Sequence, residues 1–382
     1  MAGGKRKGAR RKEARLYSSE GASGPKGFYR SAREYFSASP SARIAGQWLR
    51  EFVCGETREY HQAKTVEPVP HPYFTASVMC SPSYYAAVLK NARLWGEGGA
   101  VITEDNMLLA DVSMEWGGDR VIVGEQHSVF ERWEGEEPIP YAGIAAVLTF
   151  YASQNYYHWL FDVLPRIELI RISGLQPDKY IFNRPYLAPY QEETLEKLGI
   201  PQSQRCLTHQ NFHMLAQTLI VPSVIMTAMY PYPQWACNFL RRSFLPAKIR
   251  SGEKKRLYIS RANSERNIEN EEEVLGLLAE YGFTKVLAET LSVARQADLF
   301  AHAEAIVAPH GAGLANLAFC SPGTTVIEFL SPNHVINYFW VLSNHVDADY
   351  YYLIGEAEAA EISSPYRVSL SKLQETLRLA RL

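Results

Sequence analysis

Short apolar runs alternate with amphipathic stretches throughout the second half of the chain. Lys254 to Arg261 reads as a strand that ends in basic residues. Asn267 then caps a predicted helix carrying Ile268, Val274, Leu275, Leu277, Leu278 and Tyr281. Acidic Glu269 to Glu273 fill its first turns and Gly282 stops it. Phe283 to Glu289 is a strand, and Leu291 to Ala303 is helical, with apolar residues about one turn apart. The apolar run Ala305 to Pro309 predicts a buried strand that breaks at His310-Gly311-Ala312-Gly313. A helix over Leu314 to Cys320 follows, then a strand from Thr324 to Leu330 with Glu328 inside it. Val335 to Val346 reads as a helix, Tyr350 to Gly355 as a strand, and Ser369 to Leu382 as a last amphipathic stretch. Such alternation with short connections predicts a parallel sheet with helices on both faces. Ligands of such sheets bind at the carboxyl ends of the strands, where Arg261, His310 and the glycine turn all fall.

The first half is more mixed. Ala100 to Trp116 has the alternation of a hairpin, turning at Asp105-Asn106. Strands are expected over Ile144 to Phe150, Lys179 to Asn183 and Leu215 to Pro222. Helices are expected over Asn155 to Ile172, Gln191 to Leu198 and Gln234 to Leu245. This describes a second α/β unit with antiparallel additions. The polar stretch Pro246 to Glu253, containing Gly252, is the expected linker.

Composition narrows the class without choosing a function. At 382 residues the chain can hold two cored domains, and 47% hydrophobic and 21% charged residues are ordinary for a globular protein. A formal net charge of -2 gives no argument for binding nucleic acid. The five cysteines, Cys54, Cys80, Cys206, Cys237 and Cys320, form no paired framework, which fits free thiols in a reducing compartment. No stretch reaches the roughly 18 apolar residues of a membrane span, and the chain does not open on the apolar core of a signal peptide. It opens instead on a basic block containing Lys5, Arg6, Lys7, Arg10, Arg11, Lys12 and Arg15. That block reads as a solvated, disordered tail or as a peripheral contact to an anionic membrane surface.

Two constellations carry chemistry. A strand, a glycine turn and a helix in sequence put free backbone N–H groups and the positive end of a helix at one spot, a place for phosphate. Gly311 and Gly313 let the backbone turn and approach a ligand. The turn is neither GxGxxG, since Asn316 stands at the third glycine position, nor a P-loop. In the first half, His158, Asp162 and Arg166 recur at i, i+4 and i+8 and form one helical stripe. The stripe is either a surface ion-pair ladder or a base, its orienting partner and a cation aimed into a cleft.

The motifs YYHWLFDVLPRI, LYISRANSERNIENEEEVLGLLAEYGF and LSVARQADLFAHAEAIVAPHGAGLANLAFCSPGTTVIEF resemble the family 61 glycosyltransferases (the DUF563 domain), linked in bacteria to capsular polysaccharide biosynthesis. The resemblance spans about Gly99 to Leu353. It implies a GT-B fold, with two Rossmann-like domains facing each other across a cleft: residues 46–248 for the acceptor and residues 249–382 for the sugar nucleotide, after a basic tail over residues 1–45. It also implies an inverting, metal-independent transferase; the free thiols and the basic block place it in the cytoplasm or peripheral to the inner face of the membrane. The substrates would be a nucleotide-sugar donor and a glycan or polysaccharide acceptor, with no cofactor.

On this reading Arg261, His310, Gly311, Ala312, Gly313, Asn316 and Glu328 form the donor side. His158 and Asp162 supply the base, with His158 preferred and Asp162 orienting it, and Arg166 and Arg266 are supporting candidates. Glu328, buried by pattern, needs a partner such as a ribose hydroxyl or a backbone N–H. Asp347-Ala348-Asp349 has the form of a metal-binding DxD, but it lies in a polar gap before a strand and reads as a loop. The rival readings are a non-catalytic nucleotide-sugar or glycan-binding protein on the same fold, and a Rossmann oxidoreductase. The latter is disfavoured because Arg261-Ala262-Asn263-Ser264 lacks the expected glycines.

Overall fold

A computed structural model describes residues 23–40, 45–52, 57–118, 120–135, 137–183, 187–225, 232–248, 252 and 254–382. The basic block at the start of the chain lies outside the described residues, as does part of the expected linker. Among the described residues, no helix is long and apolar enough to cross a membrane.

Two large sheets organise the chain, both containing a run of parallel strands and both flanked by helices. The first is mixed and has nine strands. Its centre runs β1 (Tyr84–Trp95), β5 (His213–Pro222), β2 (Ile139–Val147), β3 (Lys179–Phe182) and β4 (Arg205–Leu207), in that spatial order. β2 to β5 are parallel, while β1 is antiparallel to β5 and carries the short antiparallel additions, including the expected hairpin from Ala100.

The second sheet is wholly parallel. Its strands are β6 (Lys255–Ile259), β7 (Phe283–Val286), β8 (Ala303–Pro309), β9 (Thr325–Leu330) and β10 (Asp349–Ile354), in spatial order β7-β6-β8-β9-β10. The chain leaves β6 toward β7 and then returns to the other side of β6. Beyond the carboxyl ends of β6 and β8 this reversal opens a crevice.

Alternation within single strands explains the layering. Ile306 and Ala308 of β8 and Val326 of β9 face one way. They pack with Leu314, Leu317, Phe319 and Trp340 and join Ala146, Ile220 and Phe182 of the first sheet in one core. Val307 and Ile327 face the other way, against Val274, Leu278, Leu373 and Leu377 of the outer helices. The inner core is therefore shared by both sheets. The segment around Lys64 also crosses to the second sheet: Lys64 bridges Tyr351 in parallel, and its Nζ lies 2.8 Å from Asp349 Oδ1.

Several elements differ from the expectation. The helix expected to begin at Asn267 begins at Glu271 with Asn270 at its cap, because Asn267 and Glu269 exchange backbone hydrogen bonds with Tyr366 instead. The stretch after the glycine turn is a tight 3₁₀-type helix, Ala312–Phe319. Asn155 to Ile172 is not one regular helix. It starts with the turn Tyr156–His158 and widens through Trp159–Val163, where Leu164 N–H donates to Trp159 carbonyl oxygen at 3.0 Å. It then resumes as Arg166–Ile172. Pro165, without an N–H, stands at the restart.

Candidate active site

The wide turn places the first pair of functional side chains. Asp162 is fully buried, and its Oδ2 lies 2.8 Å from His158 Nδ1. The same oxygen accepts from the Tyr232 hydroxyl at 2.5 Å. A carboxylate at Nδ1 favours the tautomer with the proton on that nitrogen and leaves the Nε2 lone pair available. His158 is partly exposed and lines a cavity of about 610 Å³. Burial first, then the charge of Asp162, raises the Tyr232 hydroxyl well above its ordinary range, so Tyr232 remains a donor.

A second pair mirrors the first from the other sheet. His310 follows β8, and its Nδ1 lies 2.5 Å from Glu328 Oε1. The other oxygen of Glu328 accepts from the Tyr350 hydroxyl. Glu328 is fully buried, so its partners are His310 and Tyr350 rather than a backbone N–H. His310 lines the same cavity as His158. Each sheet therefore contributes one imidazole, fixed at Nδ1 by a buried carboxylate that a tyrosine also holds.

Arg261, Arg266, Gly311 and Ala312 line this cavity too. Gly311 has φ 171°, extended backbone open to any residue, so its requirement is spatial. A Cβ built there would stand 1.7 Å from Arg261 Nη1. The turn approaches this guanidinium, where the sequence reading had the glycine approaching a ligand. Ala312 and Gly313 open the following helix, so their N–H groups have no intrahelical acceptor. Arg261 Nη2 donates to Glu265 carbonyl oxygen at 2.9 Å, while the Nε atoms of Arg261 and Arg266 are buried without a hydrogen-bond partner among the described residues. Burial, and then the neighbouring Arg266, lowers the Arg261 pKa. Arg266 has φ 57°, in the left-handed region that non-glycine residues rarely adopt. Two half-enclosed guanidiniums give this cavity a concentrated positive charge.

His334, unremarked in the sequence, belongs to this cavity. Burial, followed by Arg266, His310 and Arg261, lowers its pKa to about 4, so it stays neutral near pH 7. A second cavity of about 520 Å³ lies on the other side of the glycine turn, lined by Arg261, Ser260, Gly311 to Leu314, Leu291, Tyr156 and Tyr190. Arg261 and the turn thus form a divide shared by two cavities.

Other sequence candidates sit apart from this lining. Asn316 is fully buried beneath the turn. It accepts from the Tyr156 hydroxyl at 2.9 Å and donates to Gln296 Oε1 at 2.6 Å and to Gly313 carbonyl oxygen at 3.0 Å. It ties the turn to the start of the His158 segment. Arg166 is also fully buried. It donates to the carbonyl oxygens of Thr149 at 2.8 Å, Val147 at 3.2 Å and Pro222 at 3.3 Å, joining the ends of β2 and β5. The stripe is therefore no surface ladder: two of its three members are enclosed. Asp347 and Asp349 pair with Arg58 and Lys64 at the amino end of β10. Among the described residues, no group of three or more His, Cys, Asp or Glu is placed to hold a metal ion.

Tyr232, Tyr350 and His334 were not legible as site residues. Tyrosine occurs 23 times in the chain, and nothing in the local pattern marks these two.

Parallel strand ends with a glycine turn and a cationic crevice beyond them make an α/β protein compatible with a Rossmann-like fold. The model of the family Glycosyltransferase 61 matches residues 156–327, so this part of the chain is similar to that family. The matched region runs from the His158 segment through Arg261, the glycine turn and nearly to Glu328. No curated protein matches the chain. The match supports a glycosyltransferase assignment, a class whose members take a donor and an acceptor.

Proposed function

We propose that the protein is an inverting glycosyltransferase that moves a sugar from a nucleotide-sugar donor to a glycan or polysaccharide acceptor, in cell-surface or capsular polysaccharide biosynthesis. One observation carries this reading. An imidazole held by a buried carboxylate and a guanidinium pair beside a glycine turn line one cavity from opposite halves of the chain.

In the proposed reaction Arg261, Arg266 and the N–H groups of Ala312 and Gly313 hold the donor diphosphate. The acceptor hydroxyl gives its proton to His158 Nε2 as its oxygen bonds to the anomeric carbon. The bond from that carbon to the phosphate oxygen breaks in the same displacement, and its electron pair leaves with the nucleoside diphosphate. Asp162 holds the imidazole and stabilises its charged form. His310, held by Glu328, stands beside the leaving phosphate. The second cavity suits the nucleoside, being lined by Ile259, Leu291 and Leu314 together with Tyr190. Residues 249–382 act as the donor side and residues 46–248 as the acceptor side of a GT-B arrangement. No metal and no nucleic acid takes part, and the basic amino-terminal block gives contact with an anionic membrane on its cytoplasmic face.

The test is a thermal-shift panel of UDP-, GDP- and CMP-linked sugars with EDTA present, followed by assay of the released nucleotide. A selective rise with one donor and turnover in EDTA is the expected result, since a ligand that binds only the folded state stabilises it. Absence of any shift would favour a non-catalytic glycan-binding protein. Turnover abolished by EDTA would overturn metal independence.

A further inference from the structure

We infer that Trp116 and Tyr151 form a stacking platform for a pyranose ring of the acceptor glycan, next to His158. This rests on the glycosyltransferase reading and specifies its acceptor side.

Trp116 lies on a two-stranded ribbon, Glu115–Trp116 paired with Val121–Ile122. It is 55% exposed, unusual for so large an apolar ring. It is nevertheless ordered against Tyr151, the ring centroids 6.1 Å apart and the planes within 10°. Both residues line the cavity that holds His158, Arg261 and His310. The ribbon is anchored behind the ring: Glu115 accepts from Ser128 N–H at 2.9 Å and from Ser128 Oγ at 2.6 Å. Gly117 N–H donates to Arg120 carbonyl oxygen at 2.9 Å and closes the turn.

The rings continue inward to the base. Phe150 lies 4.5 Å from the Tyr151 ring and 5.7 Å from the His158 ring, centroid to centroid. A pyranose presents one face of C–H groups and an edge of hydroxyls. Its C–H face removes apolar area from water against an aromatic ring, whose negative face meets the C–H dipoles. A ring lying on this platform has its hydroxyl edge free to reach His158. Trp116 and Tyr151 come from the first half of the chain, as His158 does, whereas Arg261, Arg266, Ala312 and Gly313 come from the second, so the platform falls to the acceptor rather than to the donor.

The experiment measures two affinities on the full chain by calorimetry. One set of probes is UDP, GDP and CMP; the other is cello-, xylo- and chito-oligosaccharides. The expected result is that Trp116→Ala weakens oligosaccharide binding about tenfold or more and leaves nucleotide binding unchanged, which also shows that the variant is folded. Trp116→Phe should recover most of the loss. Oligosaccharide binding equal in wild type and Trp116→Ala would overturn the platform, as would no oligosaccharide binding to wild type at millimolar concentration, even where a nucleotide binds. Failure of every nucleotide would instead strike the glycosyltransferase reading beneath it.

Discussion

Arg261 occupies space that only a missing side chain at Gly311 provides: a Cβ there would stand 1.7 Å from the guanidinium Nη1. The backbone at this glycine is extended, so replacing it imposes no conformational strain, only displacement of the arginine. Gly311→Ala is therefore expected to weaken nucleotide binding about tenfold or more while changing the melting temperature little. Gly313→Ala should be milder, because its Cβ would meet Ile259 Cγ2 at 3.3 Å and Ala288 Cβ at 3.9 Å. Calorimetric titration of both variants checks the contrast; equal losses would contradict it.

The His158–Asp162–Tyr232 chain predicts a graded loss. His158→Ala and Asp162→Asn should each lower kcat by about a hundredfold or more without unfolding the protein, in the range of a lost general base or of its orienting partner. Tyr232→Phe removes one hydrogen bond to Asp162 and should cost roughly tenfold or less. Near wild-type turnover in both His158→Ala and Asp162→Asn, with circular dichroism unchanged, would dismiss His158 as the base.

His334 makes the surroundings of Arg261 and Arg266 sensitive to acid. Its folded pKa is lowered to about 4, so the unfolded chain binds the proton first. Its contribution to stability is present above pH ~6.5 and is lost as pH falls toward about 4. An anion bound between Arg261 and Arg266 offsets the charges that press on His334 and should move its titration upward. The measurement is the His334 imidazole resonance followed against pH with and without nucleotide. An unchanged midpoint would count against an anion at this position.

Asp111 predicts the opposite slope. Burial raises its carboxyl to about 6, against hydrogen bonds from Tyr85 and the Ala32 N–H that lower it. The folded state therefore holds this proton more tightly, and stability is lost as pH rises from about 4 to about 6. Asp111→Asn should remove that loss and stabilise the protein above pH 6 by up to about 3 kcal/mol. Chemical unfolding at pH 4.5 and pH 7.5 tests it.

Arg166 is a structural cation. Replacing it with methionine leaves the carbonyl oxygens of Val147, Thr149 and Pro222 without their buried donor and should cost about 3 kcal/mol or more. Lysine should not restore it, since an ammonium lacks the planar fork that reaches two strand ends. Urea unfolding of both variants gives the comparison.

The alternation of apolar runs and amphipathic stretches was enough to read the parallel second sheet, because a strand buried on both faces must be apolar along its length and the helices covering it need only one apolar face. The glycine turn after β8 and the His158–Asp162 spacing were equally local facts, fixed by neighbours in the chain. What the chain could not show in one dimension is which groups meet across it. Tyr232 reaches Asp162 over 70 positions, Tyr350 reaches Glu328 over 22, and Asn316 reaches Tyr156 over 160. Arg166 shares a helical stripe with His158 yet turns to strand ends rather than to the cavity, because the widened turn and Pro165 break the regular helix between them. Periodicity sees the face of an element, whereas the partner of a buried polar group is decided by whichever distant atom the packed core brings within hydrogen-bonding distance.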